Sequence, residues 1–413
     1  MCQEAPSYAS PLVVQHARGG VPDPDQAIDG WAGGSLAVPD SPAPGMTARK
    51  GQALCQIGII TDDLSGALDT AAAFASSDDP ILVSWAGEPR PARGFALDTE
   101  TRQASAAVAA ETVATLLQHL TPCCVAFKKI DSLMRGNAVA ELIACCSAET
   151  FRSVVIAPAF PQQRRVTRRG HQYAWIDDQG WRPVGAKIPA SLAENGVQGR
   201  LVESGAELAG EGVLVCDAES AADLERIAAS AAKLAAPILW CGTAGLARAL
   251  GAPAAGPTIE AGKRLLVVGS RHPVSLRQLA RLKDTLGEIT WVRHPDGASE
   301  AVVAVVNALV RDGRAALAFD LPPLPPDEAE HVFRRAFVRL VRIAAPDLVV
   351  VVGGDTVFRL CDEAGATHLE AIGEYAPGIA VSRFVDGAWP GARIVSKSGA
   401  FGDDGLLARL MAR

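Results

Sequence analysis

The feature that most constrains the fold is a repeated alternation of short apolar runs with helical stretches. In the first part of the chain the apolar runs are CQIGII, ILVSW, CCVAFKKI, SVVIAPA, GVLVCDA and PILW, with helical patterns at residues 65–77, 101–120 and 221–234. The series restarts with RLLVVGS, EITWV, AALAFD and DLVVVVGGDT, with helical patterns at 274–286, 302–310 and 327–344. Apolar strands separated by helices are typical of parallel sheets covered on both faces. The pattern predicts an α/β protein with two doubly wound, mostly parallel-sheet domains.

Segments rich in Pro, Gly, Ala and Ser set the predicted boundaries. Residues 1–50 contain VPDPDQAIDG and VPDSPAPG, which predict a flexible leader, and we expect residues 1–45 to be dispensable. GAPAAGPTIEAG at 251–262 predicts a linker between a first domain at 51–250 and a second at 263–413. A cleft between two domains is a usual place for a two-substrate reaction.

Composition narrows the class of protein. A formal net charge of −7 argues against a nucleic-acid partner. The sequence has neither an apolar run of membrane-spanning length nor a signal-peptide pattern, so we expect a cytoplasmic protein without a membrane partner. The nine cysteines include the adjacent pairs 123–124 and 145–146 and are expected to be buried, reduced thiols.

Two adjacent carboxylates end the first predicted strand, in GIITDDLSGALD. One of Asp62 and Asp63 can cap the following helix, accepting its free N–H groups. A cap leaves the second aspartate without a local role, and ligands of open α/β sheets bind beyond the carboxyl ends of strands. A structural and a functional interpretation are both open here.

Polar loops after two further strands suit a small polyhydroxy acid. FKKIDSLMRGN supplies Lys129, Asp131, Ser132, Arg135 and Asn137, and APAFPQQRRVTRRG supplies Arg165 in an arginine-rich loop. Arginine can hold a carboxylate through two parallel N–H bonds, and Ser, Asn and Asp can bind hydroxyl groups. The alternatives are a helix cap at Ser132 or Asn137 and a solvated basic loop.

The second domain carries glycine turns at strand ends. Gly353, Gly354, Asp355 and Thr356 follow VVVV, and Ser270 follows LLVVG. Glycines at such junctions let backbone N–H groups approach a phosphate at a helix N-terminus, although a plain capped turn is the alternative. IVSKSGAFGDDG adds Lys397, which can reach a nucleotide phosphate, and the sequence contains neither the Walker A nor the G-x-G-x-x-G spacing.

These motifs, in this order, resemble the four-carbon acid sugar kinase family over residues 55–413. The resemblance implies ATP-dependent phosphorylation of the 4-hydroxyl of a tetronate, with the acid sugar on the first domain and the nucleotide on the second. The form KKIDS looks more like the threonate and erythronate branch, which makes D-threonate or D-erythronate the expected substrate and a 3-oxo-tetronate the alternative. Leu133-Met134 and Arg164 depart from the family pattern beside the expected acid-sugar pocket.

Carried over to this chain, the resemblance and the loop chemistry assign three groups of residues. Asp62 and Asp63 are expected to be catalytic; the sugar acid is expected at Lys129, Asp131, Ser132, Arg135, Asn137 and Arg165; the nucleotide is expected at Ser270, Gly353, Gly354, Asp355, Thr356, Lys397 and Gly399. The expected cofactors are ATP and Mg²⁺, with metal ligands unassigned, and the sequence is compatible with a homodimer. A non-catalytic sugar-acid sensor, and a hydrolase or aldolase acting on a phosphorylated sugar acid, are the rival functions.

Overall fold

The computed structural model describes residues 56–85, 93–177, 179–251 and 256–412. The predicted leader at 1–50 and part of the predicted linker lie outside these residues. We call residues 56–251 the N-terminal half and residues 256–412 the C-terminal half.

The helices and strands alternate along most of the chain. The strands are β1 Ile57–Thr61, β2 Ile81–Ser84, β3 Gly94–Asp98, β4 Val125–Lys129, β5 Ser153–Ala157, β6 Arg165–Arg168, β7 His171–Ile176, β8 Gly180–Val184, β9 Gly199–Val202, β10 Gly212–Cys216, β11 Ile238–Gly242, β12 Arg264–Val268, β13 Thr290–Val292, β14 Arg314–Phe319, β15 Leu348–Val352, β16 His368–Ala376, β17 Ile379–Phe384 and β18 Arg393–Lys397. The helices are α1 Leu64–Ala72, α2 Ala106–Leu120, α3 Ala138–Ser147, α4 Ile188–Glu194, α5 Ala221–Ala229, α6 Ala244–Gly251, α7 Pro273–Leu286, α8 Ala298–Asp312, α9 Pro326–Ile343, α10 Gly354–Glu363 and α11 Leu406–Leu410.

One large sheet runs through both halves. The described residues form a fifteen-stranded sheet in the order β13-β14-β12-β15-β18-β17-β16-β2-β3-β1-β4-β11-β5-β10-β9. Every neighbouring pair is parallel except β18–β17, β17–β16 and β16–β2. The predicted mostly parallel α/β class is confirmed. The sheets of the two halves are additionally joined edge to edge through β16 and β17, two strands that the sequence reading did not identify.

The central strands are apolar because both faces of the sheet are covered. In β12 and β15, Leu265, Val267, Val349 and Val351 join one core, while Leu266, Val268, Val350 and Val352 join another on the opposite face. Each fully buried Val or Leu side chain contributes about 1.5–3 kcal/mol. The continuous apolar runs are therefore accounted for by burial on two sides, as the sequence pattern predicted.

The arginine-rich segment is more ordered than expected. It was predicted as a loop, but residues Pro161–Gln163 form a 3₁₀ turn and Arg165–Arg168 form β6, the edge of a separate sheet in the order β6-β7-β8. The predicted hairpin in YAWIDDQGWRPV is confirmed as β7 and β8, paired antiparallel. The extra strand forms because the segment pairs antiparallel with β7. Val166 lies opposite Tyr173, and Thr167 lies opposite Gln172.

Several helix boundaries differ from the predictions: the helix expected at 221–234 ends at Ala229, and the one expected at 302–310 runs from Ala298 to Asp312. The helix expected at 101–120 begins at Ala106, because Ser105 caps it by accepting from Val108 N at 3.3 Å, and residues 101–103 form a separate 3₁₀ turn. The helix expected at 65–77 is shorter, running from Leu64 to Ala72.

The cysteine prediction is only partly right. Cys145, Cys216, Cys241 and Cys361 are buried free thiols, but Cys124 is an exposed free thiol and Cys123 is disulfide-bonded. The adjacent cysteines 123 and 124, which precede β4, are therefore not a pair of buried, reduced thiols. None of the described helices combines the length and apolar character needed to cross a bilayer.

Candidate active site

A cavity of about 450 Å³ opens at the carboxyl ends of the strands, between the two halves. Its N-terminal-half lining is Asp63, Ser65, Gly66, Asp69, Arg102, Gln103, Lys129, Asp131, Ser132, Leu133, Arg135, Gly136 and Arg165. Its C-terminal-half lining is Ser270, His272, Gly353, Gly354, Asp355, Ser398, Gly399, Ala400 and Phe401. The edge of the sheet where these residues meet is the usual ligand site of open α/β folds.

A larger cavity, of about 530 Å³, lies at the opposite ends of β15 and β18. Its arginines Arg383 and Arg393 are paired with Glu370 and Glu260, the latter at 2.6 Å. We place the candidate active site in the smaller cavity because the polar loops of both halves converge there.

The two adjacent aspartates have different surroundings. Asp63 caps α1, accepting from Gly66 N at 2.9 Å through Oδ1, and its Oδ2 accepts from Arg102 at 2.5 Å. Asp62 accepts twice from Arg102, at 2.8 and 2.9 Å, and its side chain is only 3% exposed compared with 21% for Asp63. Asp63 lines the cavity and Asp62 lies behind it. Asp63 is therefore the helix cap, and it is also the aspartate of the pair that lines the cavity.

Burial and charge shift the pKa values of the two carboxyls in opposite directions. Burial is the largest influence on both and by itself raises each pKa. At Asp62 the attraction of Arg102, with Lys128 and Lys129, outweighs burial and lowers the pKa. At Asp63 burial, together with the charge of Asp62, outweighs Arg102 and raises the pKa. A carboxylate with a raised pKa is the better proton acceptor of the pair.

Arg102 is a site residue that sequence reasoning missed. Its guanidinium contacts Asp62 and Asp63 and lies 3.4 Å from Asp131. It is carried by the 3₁₀ turn Thr101–Gln103, just after β3. Because β3 pairs with β1, this turn and the two aspartates emerge side by side at the same edge. The sequence feature that could have identified Arg102 is its position shortly after the end of a strand.

Asn137 and Asp131 position other groups. Asn137 does not line the cavity; its Nδ2 donates to Thr101 O at 2.8 Å and to Ala104 O at 2.9 Å, so it holds the turn that carries Arg102. Asp131 accepts from Leu133 N at 2.8 Å and from Arg135 at 2.6 Å. Although burial opposes it, the Arg135 hydrogen bonds and the charge of Arg102 lower the pKa of Asp131, so this carboxylate stays ionised.

The other wall of the N-terminal half carries Lys129 and Asp69. Lys129 Nζ lies 3.9 Å from Asp69 Oδ1 and packs over Gly66, where a Cβ would approach this nitrogen to 2.9 Å. Burial raises the pKa of Asp69 to about 6, although Lys129 acts in the opposite direction. Asp69 was not predicted. It follows Ser65 by four residues and therefore shares its helix face, which was the signal in the sequence.

Three glycine turns of the C-terminal half converge at the cavity. Gly353 has φ of 113°, which a residue with a side chain rarely adopts. A Cβ on Gly399 would lie 2.0 Å from Ser270 Oγ, and one on Gly269 would lie 2.1 Å from Thr356 Oγ1. Thr356 is buried and contacts the neighbouring turn, so among the predicted nucleotide residues it holds the turns together without lining the cavity.

Lys397 ends β18 directly before the cavity-lining residues Ser398 and Gly399. The residue is 1% exposed, and Nζ has no hydrogen-bond partner among the described residues. Burial lowers the pKa of Lys397 to about 7. A buried amine without a partner is unfavourable unless a ligand supplies one. Lys397 thus fits an anionic ligand at the glycine turns.

The two halves approach each other at Gly354. A Cβ on this residue would lie 3.4 Å from Ser65 Cβ and 3.6 Å from Asp63 Oδ2. Gly354 begins α10, whose free N–H groups and dipole favour a phosphate. Asp63 and a phosphate-binding turn consequently face the same space. Within the described ranges, no group of three or more His, Cys, Asp or Glu side chains is arranged to hold a metal ion.

Two family models match most of the described chain. A family model described as a sugar-binding N-terminal domain matches residues 57–186 and 174–250, and one described as a nucleotide-binding C-terminal domain matches 265–407. The chain is 32% identical to a D-threonate kinase of Cupriavidus necator, over 84% of this chain and 95% of the relative. It is 29% identical to a D-threonate kinase of Bordetella bronchiseptica, over 86% and 96%.

Solved structures show the same fold. A protein of Salmonella typhimurium LT2 superposes with a TM-score of 0.66 at 20% identity, covering 86% of this chain and 98% of that one. A Haemophilus influenzae protein superposes with a TM-score of 0.62 at 18% identity, over the same shares of the two chains.

Since the relatives found by sequence are kinases, the sensor, hydrolase and aldolase alternatives lose their support. The chain belongs to the four-carbon acid sugar kinase family and is a phosphotransferase.

Proposed function

We propose that this kinase uses ATP to phosphorylate the 4-hydroxyl of a four-carbon sugar acid, D-threonate or D-erythronate. The observation that carries the proposal is the approach of Asp63 to the α10 N-terminus, where a Cβ on Gly354 would lie 3.6 Å from Asp63 Oδ2. This proximity supports a proton acceptor beside a turn that would bind phosphate. D-threonate is favoured because relatives at 26–32% identity are named D-threonate kinases. A 3-oxo-tetronate is the alternative substrate.

The N-terminal half would bind the sugar acid. Lys129, Ser132 and Arg135 line its wall of the cavity and offer cationic and hydroxyl groups to a carboxylate and to hydroxyls. Asp131 and Arg102 are already paired to protein groups, so their role is to fix the positions of Arg135 and Asp63. Such positioning supplies much of the rate enhancement in phosphoryl transfer.

The C-terminal half would bind the nucleotide phosphates. The backbone at Ser270, Gly353, Gly354 and Gly399 lines the cavity, and the buried amine of Lys397 lies next to it. Carboxylate oxygens suit Mg²⁺, which proteins often hold through one or two carboxylates together with substrate phosphates. Asp355, which lines the cavity at the start of α10, is the carboxylate that would hold Mg²⁺, and the ion would neutralise phosphate charge.

Asp63 would accept the proton of the attacking hydroxyl. Its raised pKa makes it a better base than Asp62, whose carboxylate is fully engaged by Arg102. Arg102 holds Asp63 Oδ2, and Gly66 N holds Oδ1, so the carboxylate is fixed in place before substrate binds. Cytoplasmic location and a homodimer stay predictions from the sequence.

The test is a screen of ADP release with D-threonate, L-threonate, D-erythronate, L-erythronate and 3-oxo-tetronates, using the parent protein and two variants. We expect release with D-threonate or D-erythronate. Asp63→Asn keeps the capping acceptor but not the base, so it should lower kcat about 10²–10⁴-fold while unfolding stability falls by no more than about 1 kcal/mol.

The matched control is Asp78→Asn, since Asp78 is exposed and lies away from the cavity; it should turn over like the parent. Release with none of the sugar acids would refute the proposed function. Parental turnover by Asp63→Asn would remove Asp63 as the base and leave Asp69, with its pKa of about 6, as the next carboxylate to vary.

A further inference from the structure

Arg165 occupies an unusual position for a residue of the N-terminal half. It lines the cavity and is 8% exposed. Its NH1 donates to the carbonyl oxygens of Gln163 and Arg164, at 2.9 and 3.0 Å. Its Nε is buried and has no hydrogen-bond partner within the described part of the chain. A guanidinium N–H in that condition is unfavourable unless a ligand accepts from it.

The other two arginines at the cavity are already matched by carboxylates. Arg102 pairs with Asp62 and Asp63, and Arg135 pairs with Asp131 at 2.6 Å. Arg165 forms no ion pair with any acidic residue that the structure describes. Among the three, Arg165 is therefore the guanidinium whose charge no carboxylate of the described residues balances.

The segment that carries Arg165 is attached to the nucleotide side of the cavity. Arg165 exchanges backbone hydrogen bonds with Phe160, at 2.8 and 3.1 Å. The ring of Phe160 packs edge to face on Phe401, with centroids 5.8 Å apart, and Phe401 belongs to the loop that follows Gly399. Gln163 Nε2 donates to Pro377 O at 2.6 Å. These contacts fix Arg165 against the C-terminal half.

The charges of Lys397 and Arg165 both act on His272 at this point. Burial, followed by the charges of Lys397 and Arg165, lowers the pKa of His272, which lines the cavity. Arg165 therefore lies within electrostatic reach of the glycine-turn wall, and it also acts on Asp131 across the cavity. A position between the nucleotide wall and the sugar-acid wall is where a γ-phosphate would meet an attacking hydroxyl.

We propose that Arg165 is a catalytic residue that donates to the γ-phosphoryl group during its transfer, in place of the sugar-acid contact expected from the sequence. The inference rests on the proposed kinase reaction. In that step the hydroxyl oxygen of the sugar acid forms a bond to the γ-phosphorus, and the bond from phosphorus to the β–γ bridging oxygen breaks. The hydroxyl proton passes to Asp63 and ADP leaves. Charge on the equatorial oxygens would be stabilised by Arg165.

The experiment compares Arg165→Met and Arg165→Lys with the parent, using Arg164→Met as the matched control. Arg164 is adjacent, but its side chain is 66% exposed. Four quantities are measured for each: kcat, the Kd of the sugar acid without nucleotide, the Kd of ADP, and Tm. Parent turnover is measured first, so that failure of the kinase proposal is seen before any variant is compared.

If Arg165 acts on the γ-phosphoryl group, Arg165→Met should lower kcat at least about 100-fold, as loss of one transition-state donor does. The Kd of the sugar acid and that of ADP should each change by less than about threefold, because neither carries a γ-phosphate. Arg165→Lys should recover part of kcat, and Arg164→Met should match the parent.

A rise of tenfold or more in the Kd of the sugar acid, on the scale of about 1.4 kcal/mol, with saturated turnover retained, would overturn the proposal and return Arg165 to sugar-acid binding. Unchanged kcat in a folded Arg165→Met would also overturn it. If Tm shows that Arg165→Met does not fold, Arg165→Lys decides by the same split between kcat and Kd.

Discussion

Nucleotide binding should be coupled to proton uptake by Lys397. Burial lowers the pKa of this amine to about 7, from an ordinary 10.5, and its Nζ has no partner among the described residues. A polyphosphate beside it would favour the charged form and raise the pKa. The protein should therefore take up a proton when the nucleotide binds.

The magnitude follows from the two protonation states. With a pKa of about 7, roughly one tenth of the Lys397 amines are charged at pH 8, so binding that restores full charge takes up about 0.9 proton per site. The uptake should be about 0.5 proton at pH 7 and about 0.1 at pH 6. Uptake that increases with pH distinguishes an amine from a carboxylate, whose uptake would increase toward low pH.

The assay is titration calorimetry of ADP binding in buffers of different ionisation enthalpy, with Lys397→Met as the baseline. Subtracting the variant removes protons taken up or released by ADP itself and by other groups. Equal proton uptake by the parent and Lys397→Met at pH 8 would refute the reasoning, because Lys397 would then be indifferent to the nucleotide.

The same pKa shift affects stability without nucleotide. Folded Lys397 binds fewer protons than unfolded Lys397 between about pH 7 and 10.5, so its contribution to the free energy of unfolding rises with pH across that window. Urea unfolding at several pH values should show this rise in the parent, and Lys397→Met should lack it. A parallel pH dependence in the two proteins would contradict the assignment.

Two further substitutions test neighbouring parts of the site. Gly354→Val should raise the KM for ATP about tenfold or more, because the side chain blocks the approach of phosphate to the backbone N–H and a lost phosphate hydrogen bond is worth about 1.5–3 kcal/mol. A Cβ there would meet Ser65 Cβ at an ordinary 3.4 Å, and Tm is measured beside the kinetics to show that the larger Val side chain leaves the fold intact. Unchanged ATP kinetics would return the turn to a structural role. Asn137→Ala removes two hydrogen bonds from the turn that carries Arg102 and should lower unfolding stability by about 1–3 kcal/mol together with kcat/KM. Urea unfolding and steady-state kinetics check this, and retained activity in a destabilised protein would show that Arg102 does not depend on Asn137.

The sequence predicted which loops meet because parallel strands end at one edge of a sheet. Asp63, Asp131 and Gly354 belong to three different strand ends, and all line the cavity. Alternation of apolar runs with helices was sufficient for that conclusion. The join between β16 and β2 was not predictable in the same way, because pairing between distant strands depends on register and packing that a local pattern does not contain.

The sequence predicted the positions of these side chains at strand ends better than it predicted their hydrogen-bond partners. Asp62 and Asp131 look equivalent to Asp63 in the sequence. In the structure Asp62 lies behind the cavity, and Asp131 is held by Arg135, which lowers its pKa. Asn137 follows a strand like a substrate ligand but satisfies two backbone carbonyls. The hydrogen-bond partner of a side chain depends on residues that are distant in the sequence. Buried polar groups must be hydrogen-bonded, so a buried carbonyl nearby determines which side chain donates to it.

The most direct measurement of the central claim is where phosphorus is attached in the product. The protein is incubated with ATP and D-threonate, or with D-erythronate if only that acid supports ADP release, and the product is analysed by proton–phosphorus correlation NMR. The account predicts one new phosphoester signal coupled to the two methylene protons on C4, and with Asp63→Asn this signal should grow about 10²–10⁴-fold more slowly. A phosphorus signal coupled to the C2 or C3 proton, or ADP release that yields only inorganic phosphate, would contradict it.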